Sequence, residues 1–309
     1  RCGSQKWPEN RMNTYRSPHD SASSTGGDAA RGNALGAGPA RGWLQGPRWI
    51  IWLLVGIVLG PVVARFIPRE VSQWYLATGL QARIDGNEDE SERALDKALE
   101  WNPDNVEVYL LRAEWRRDSG DYGAALAACE EAAQRAPDDM RVYLERSQVF
   151  QHLGQGEKAV ADWKKLEELN ERLDRLAEET VWNGLAYARA VANIELDKAL
   201  ADANRALKRR SNDAALLDTR GFIHYRLGDH QAARQDLDAA LKVSEAEHAE
   251  LVKRAGTSQP RLVKQSSNSL AVMLYHRALV LRALGDEDAA KADEQRVKEL
   301  GFEPDDRLF

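Results

Sequence analysis

The chain is 309 residues long, 30% charged and 7% aromatic, with a formal net charge of −6. That length fits two domains or one extended array, and that composition is the profile of a helical, well-solvated protein. Residues 1–69 hold nine Lys/Arg against three Asp/Glu, which leaves 34 and 46 for the remainder, a body near −12. Such a body argues against a nucleic-acid-binding surface, which needs clustered cations to displace counterions.

Residues 1–48 are basic and rich in Gly, Ala and Ser, and Ser21–Gly27 shows no apolar periodicity, so this stretch reads as a disordered leader with Met12 a candidate start. Trp49 to Ala64 then forms 16 residues without a charge, bracketed by Arg48 and Arg65. As a helix it covers roughly 24 Å, short of the ~30 Å hydrocarbon core. Phe66, Ile67 and Pro68 extend the run, Arg65 can snorkel, and Trp49 and Trp52 lie where an interfacial belt belongs. The expectation is a transmembrane helix or signal-anchor over 49–68. A cleaved signal ending near Val62-Val63-Ala64 is the alternative; a buried core helix ranks third, because no flanking element would bury it. Lys/Arg counts on the two sides are equal, so the positive-inside rule discriminates little. The leader is purely basic near the span, which favours a single-pass protein whose repeat domain is extracytoplasmic.

Beyond residue 70 the chain repeats. Tyr75, Tyr109 and Tyr143 are spaced by 34, as are Gly86, Gly120 and Gly154, and Pro103 and Pro137. A period of this size marks a solenoid of stacked supersecondary units. Each unit reads as two helices: Val71 to Ile84 is a first helix A, Gly86 lies in the turn, and Glu88 to Trp101 is helix B. Glycine relieves the tight turn, and proline, lacking the N–H of a helix interior, ends helix B. Ala94, Ala98, Ala128 and Ala132 are small where neighbouring helices must approach.

The unit resembles the tetratricopeptide repeat. Tyr75, Gly79, Gly86, Ser91, Leu95, Ala98 and Pro103 match its pattern in the first unit, as do Tyr109, Ala113, Gly120, Ala125, Cys129, Ala132 and Pro137 in the second. The third carries Tyr143, Ser147, Gly154, Ala159, Trp163 and Leu166, but Glu171 replaces proline. The resemblance implies an all-α, right-handed α-α superhelix over 71–306, in units 72–105, 106–139, 140–173, 179–213, 214–247 and 271–304. The fourth unit has Asn193 in place of the turn glycine and is one residue longer. Leu166, Leu169, Leu173 and Leu176 follow a heptad pattern too short for a coiled coil, and read as a lengthened packing helix. Residues 242–268 form an insert, broken at Gly256–Pro260 into a helical first part and a loop.

In that family the concave face is lined by helix A. Carried over, its positions give Leu76 and Arg83; Glu107, Leu110, Glu114 and Arg117; Arg141, Leu144 and Gln148; Asp218, Phe222, Tyr225 and Arg226; and Tyr275 and Arg282. The implied function is a scaffold that binds protein or peptide partners, with Leu76, Leu110 and Leu144 as an apolar rail and the charges setting a peptide's register. The same leucines stand where receptors for C-terminal carboxylates carry polar residues, which argues against that use. An assembly or chaperone factor for envelope proteins is a further alternative.

No catalytic motif appears, and no cofactor is expected. The six histidines are scattered. Asp85 to Glu92 lacks the sixth-place glycine of a calcium loop and reads as a solvated turn. Cys129, with only Cys2 for company, reads as a small core residue.

Overall fold

The computed structural model describes residues 48–174, 176–255 and 258–304. Its contacts divide the chain into residues 1–58 and 59–309. The expected leader lies outside the described residues, and so do many side chains of the expected span at 49–68. Among the described residues no helix is long and apolar enough to cross a membrane.

Every regular element among the described residues is a helix. In chain order these are α1 (Arg48–Ile84), α2 (Glu88–Trp101), α3 (Val106–Asp118), α4 (Tyr122–Arg135), α5 (Met140–His152), α6 (Gly156–Leu173), α7 (Glu178–Ala192), α8 (Leu196–Arg209), α9 (Ala214–Arg226), α10 (His230–Ala255), α11 (Pro260–Ala283) and α12 (Glu287–Glu299). From α3 onward, odd-numbered helices are helix A and even-numbered ones helix B of five successive hairpins, and each hairpin packs on the next. The end of α1 pairs with α2, where Ser91 Oγ donates to the Gly79 carbonyl (2.9 Å).

The turn inside each hairpin explains its residues. Helix A ends on a glycine with φ between +68° and +82° at Gly86, Gly120, Gly154, Gly228 and Gly285. The next N–H reaches back five residues: Asp121 to the Arg116 carbonyl at 2.8 Å, Asp286 to that of Leu281 at 2.9 Å. This is the helix-ending motif that needs a left-handed residue. The residue after the glycine then caps helix B: Asn87, Asp121, Asp229 and Asp286 accept from backbone N–H groups. The fourth hairpin departs as its sequence does. Asn193 takes the left-handed place at φ 53°, and Glu195 follows at φ 47° before α8 begins.

The 34-residue spacings of tyrosine and proline are one feature. Tyr109 Oη donates to the Pro103 carbonyl (3.1 Å) and Tyr143 Oη to that of Pro137 (2.7 Å). Each tyrosine thus ties its helix A to the turn that ended the preceding unit. Small residues bring the helices together: Ala98, Ala113, Ala125, Ala132, Ala159, Ala206, Ala233 and Ala240 are fully buried, as is Cys129.

Two irregular segments are ordered differently from expectation. α6 stops at Leu173, with Asp174 left-handed at φ 46°, so Leu176 is outside the helix. The Asn170 amide holds it, donating to the Leu176 carbonyl (3.0 Å) and accepting from its N–H (2.8 Å). The second half of the 242–268 insert is helical, not a loop. α10 runs on to Ala255, and Pro260, whose missing N–H is harmless in a first turn, starts α11 well before Ala271.

Candidate partner-binding groove

The fifteen carried-over positions fall into three groups. Leu76, Asp218 and Phe222 are 5%, 6% and 0% exposed and do not line a surface. Leu76 is enclosed by Leu95, Ala98, Val108 and Trp115, so the rail of three leucines is broken at its first member. Asp218 is turned inward to His276 Nδ1 at 2.8 Å, and the His276 ring stacks on Phe222 with centroids 4.4 Å apart. These three residues therefore hold helices together. Leu110, Leu144, Gln148, Tyr225 and Tyr275 are half-buried on helix A.

The charges of the regular units bind one another. Arg141 bridges to Glu107 of the preceding helix A at 2.5 Å and to Asp139 at 2.8 Å, and the bond to Asp139 holds its guanidinium above the ordinary range. Arg117 meets Glu145 of the next helix A at 2.7 Å. Arg83 pairs with Glu88 at 3.0 Å and lies 5.1 Å from the Trp115 ring centroid. Arg282 pairs with Glu294 at 2.5 Å and Glu287 at 3.7 Å. Glu114 is exposed at the surface, yet desolvation and then the neighbouring Asp118 and Glu145 raise its carboxyl.

Arg226 differs. Its guanidinium lies 4.9 Å from the Phe222 ring centroid, and it has no carboxylate partner among the described residues. Around it stand Tyr187, Tyr225 and His230. The Tyr187 ring is 6.1 Å from Phe222 and 6.3 Å from His276, and Tyr225 is 5.8 Å from His230. Tyr187 is half-buried, and burial pushes its phenol up, with Asp218 adding to the rise and Arg226 opposing it. Among the described residues, three enclosed polar atoms of α7, α9 and α10 have no hydrogen-bond partner: Asn183 Oδ1, Arg226 Nε and His230 Nδ1. α7, α9 and α11 thus bring Tyr187, Tyr225, Arg226 and His276 together.

Sequence reasoning missed Asn183, Tyr187, His230 and His276. The fourth unit is out of phase by one residue, so its groove positions could not be counted from the third. It also missed a second period. Arg146–Asp162, Arg220–Asp236 and Arg277–Asp293 are all spaced by 16 and bridge helix A to helix B, each through two hydrogen bonds of 2.6–2.8 Å. The aspartates are 3–8% exposed. In the second unit Ala128 takes the aspartate's place, and Arg112 turns instead to Glu92 and Asp96 of α2.

No family model matches the sequence, and no curated protein does. Solved structures do match. A tetratricopeptide repeat protein from Parabacteroides merdae ATCC 43184 superposes with a TM-score of 0.50 at 12% identity, covering 75% of this chain and 94% of that one. PilW, a widely conserved type IV pilus biogenesis factor, superposes with a TM-score of 0.54 at 14% identity, covering 77% and 96%. The fold is that of a tetratricopeptide-repeat solenoid. The Arg226 cluster lies on the A helices α7, α9 and α11 of the later units.

Proposed function

We propose that this chain is a membrane-anchored, non-enzymatic scaffold that recruits protein or peptide partners to the helix-A face of its solenoid, on the extracytoplasmic side. The observation that carries the binding reading is the half-buried cluster of Tyr187, Tyr225 and Arg226 on that face, in which Arg226 has no carboxylate partner among the described residues. A guanidinium without a carboxylate partner beside half-buried aromatic surface suits an acidic group of a partner. The fold supports this reading because stacked hairpins expose an extended surface suited to a chain rather than to a small substrate.

The anchor reading rests on α1. Ile57, Leu59, Val63, Phe66 and Ile67 are 47–61% exposed, and Trp74 is 63% exposed on the same helix. Apolar side chains exposed in a row are costly in water and favourable in lipid.

Photocrosslinking of the full chain tests the binding face. A photoreactive residue at Leu110 or Tyr225 should capture a partner, while one at Glu130 on α4 should not; capture from Glu130 alone would sink the reading. Retention of the chain in membranes after an alkaline carbonate wash tests the anchor, and release into the supernatant would count against it.

A further inference from the structure

Five arginines were carried onto the helix-A face, and four of them have carboxylate partners: Arg83, Arg117, Arg141 and Arg282. Their charge is already used within the array. Arg226 is different in kind. It lies over Phe222, a fully buried ring that cannot move away, so the guanidinium is held in place before any ligand arrives. Its Nε is enclosed without a partner. The nearest acid on its own helix face, Asp218, is turned to His276.

The surroundings narrow the ligand's chemistry. A fixed guanidinium binds a carboxylate through two parallel hydrogen bonds and rewards planar acceptors. Tyr187 and Tyr225 offer half-buried aromatic surface beside the cation, suited to an apolar side chain next to the acid. One extended peptide carries both groups within a few residues. We propose that Arg226, with Tyr187 and Tyr225, binds an internal Asp or Glu side chain of an extended partner segment, next to an aromatic or aliphatic residue. This inference rests on the proposal that partners occupy the helix-A face, and it names the chemistry they present.

The test is selection of phage-displayed random 12-residue peptides on the full chain, in parallel on Arg226→Glu. The expected wild-type pool carries Asp or Glu at one shared position beside Tyr, Phe or Leu, and the Arg226→Glu pool carries Lys or Arg there. Synthetic peptides from the wild-type pool, with amidated C-termini, should bind the full chain and weaken about tenfold or more with Arg226→Gln, as loss of a charge-assisted pair implies. Arg226→Lys should recover only part of this, since it restores the charge without the planar fork. Thermal melting of each variant separates lost binding from lost folding. Acid-free pools, binding unchanged by Arg226→Gln, binding that amidation abolishes, or a selection that yields no binder would each overturn the proposal. A photoreactive group on the selected peptides then distinguishes the two levels. Insertion into α7, α9 or α11 without dependence on Arg226 would leave the helix-A reading standing and this inference refuted. Insertion confined to helix B surfaces would refute both.

Discussion

Gly184, in the second turn of α7, faces the indole of Trp163 on α6. A Cβ placed on it would lie 2.0 Å from Trp163 Cη2 and 2.3 Å from both Cζ2 and Cζ3. Carbon atoms at rest sit about 3.5–4.0 Å apart, so Gly184→Ala requires the ring to move by over ~1 Å. The ring has nowhere to go: Trp163 is 9% exposed and packed among Met140, Tyr143, Val160 and Leu185. Overpacking of this kind costs about 1–3 kcal/mol. Alanine returns ~1 kcal/mol through its better helix propensity. An approach of 2.0 Å puts the overpacking in the upper part of that range, about 2–3 kcal/mol, so the expected net loss is about 1–2 kcal/mol, which for an array of this size lowers the melting temperature by roughly 2–8 °C. Circular dichroism melts of the full chain measure it. Gly123→Ala in α4 is the matched control, since its added Cβ meets nothing nearer than Asp121 Oδ1 at 3.9 Å. That control should be stabilised by about 0.4–1 kcal/mol. Trp163→Phe in the Gly184→Ala background should recover more than the two single changes predict, with a coupling of ~1 kcal/mol or more. A Gly184→Ala chain that melts at or above the wild type, or no coupling to Trp163, would refute the reasoning.

The other predictions follow from the turns, the ion pairs and one carboxylate. Asn193→Gly should stabilise by about 0.5 kcal/mol because it relieves a left-handed non-glycine residue, whereas Gly120→Ala, at φ 80°, should cost about 1 kcal/mol; urea melts of both decide the sign. Asp236→Ala leaves Arg220 half-buried with only Asn204 Oδ1 (3.0 Å), and should cost about 2–4 kcal/mol, while Arg220→Met with Asp236→Leu together should cost less than Asp236→Ala alone. Glu195 bonds to Lys198, Lys164 and Arg189, and these hold its carboxyl at about 2, below the ordinary 4.5. Because the folded value is the lower one, its stabilisation is present above pH ~4.5 and is lost as pH falls toward ~2. Glu195→Gln should flatten the acid limb of a stability–pH profile in that window, and an unchanged limb would contradict the assignment. Burial pushes the Cys129 thiol up to about 12, so maleimide labelling should wait for unfolding and should not respond to mild alkali.

How much of this was legible in the sequence depended on whether a residue acts through the backbone or through its neighbours. The turn glycines, the prolines and the small helix-B alanines act locally, and spacing alone reveals them. The tyrosines were legible as periodic, but their hydrogen bond to the proline carbonyl was not, because the bond joins two units. Leu76, Asp218 and Phe222 were misplaced for one reason. Family positions say which face of helix A a residue occupies, but not how closely the next hairpin covers it. His276 of the following helix A covers Phe222 and engages Asp218, and the α2–α3 packing covers Leu76. The Arg–Asp spacing of 16 was readable and overlooked, since it appears only in the third, fifth and sixth units.

Charge on a solenoid is consumed first by stacking. Between the second and third units Glu107 holds Arg141 and Arg117 holds Glu145, each across neighbouring A helices, at 2.5 Å and 2.7 Å. Such contacts fix the register of one hairpin on the next, and they leave little net field for a ligand. The exposed Arg141–Glu107 pair adds at most about 1 kcal/mol, so its loss would loosen the array without abolishing it. In the later units buried partners join the ion pairs Arg277–Asp238 and Arg296–Glu245 in stacking: Asp218 with His276, and the stacked pair of Phe222 and His276. Arg226 is thereby released from a structural ion pair while the aromatic floor still fixes its position. The regular half of the chain therefore behaves as framework, and selectivity for a partner is expected where the repeat pattern breaks down, around α7, α9 and α11.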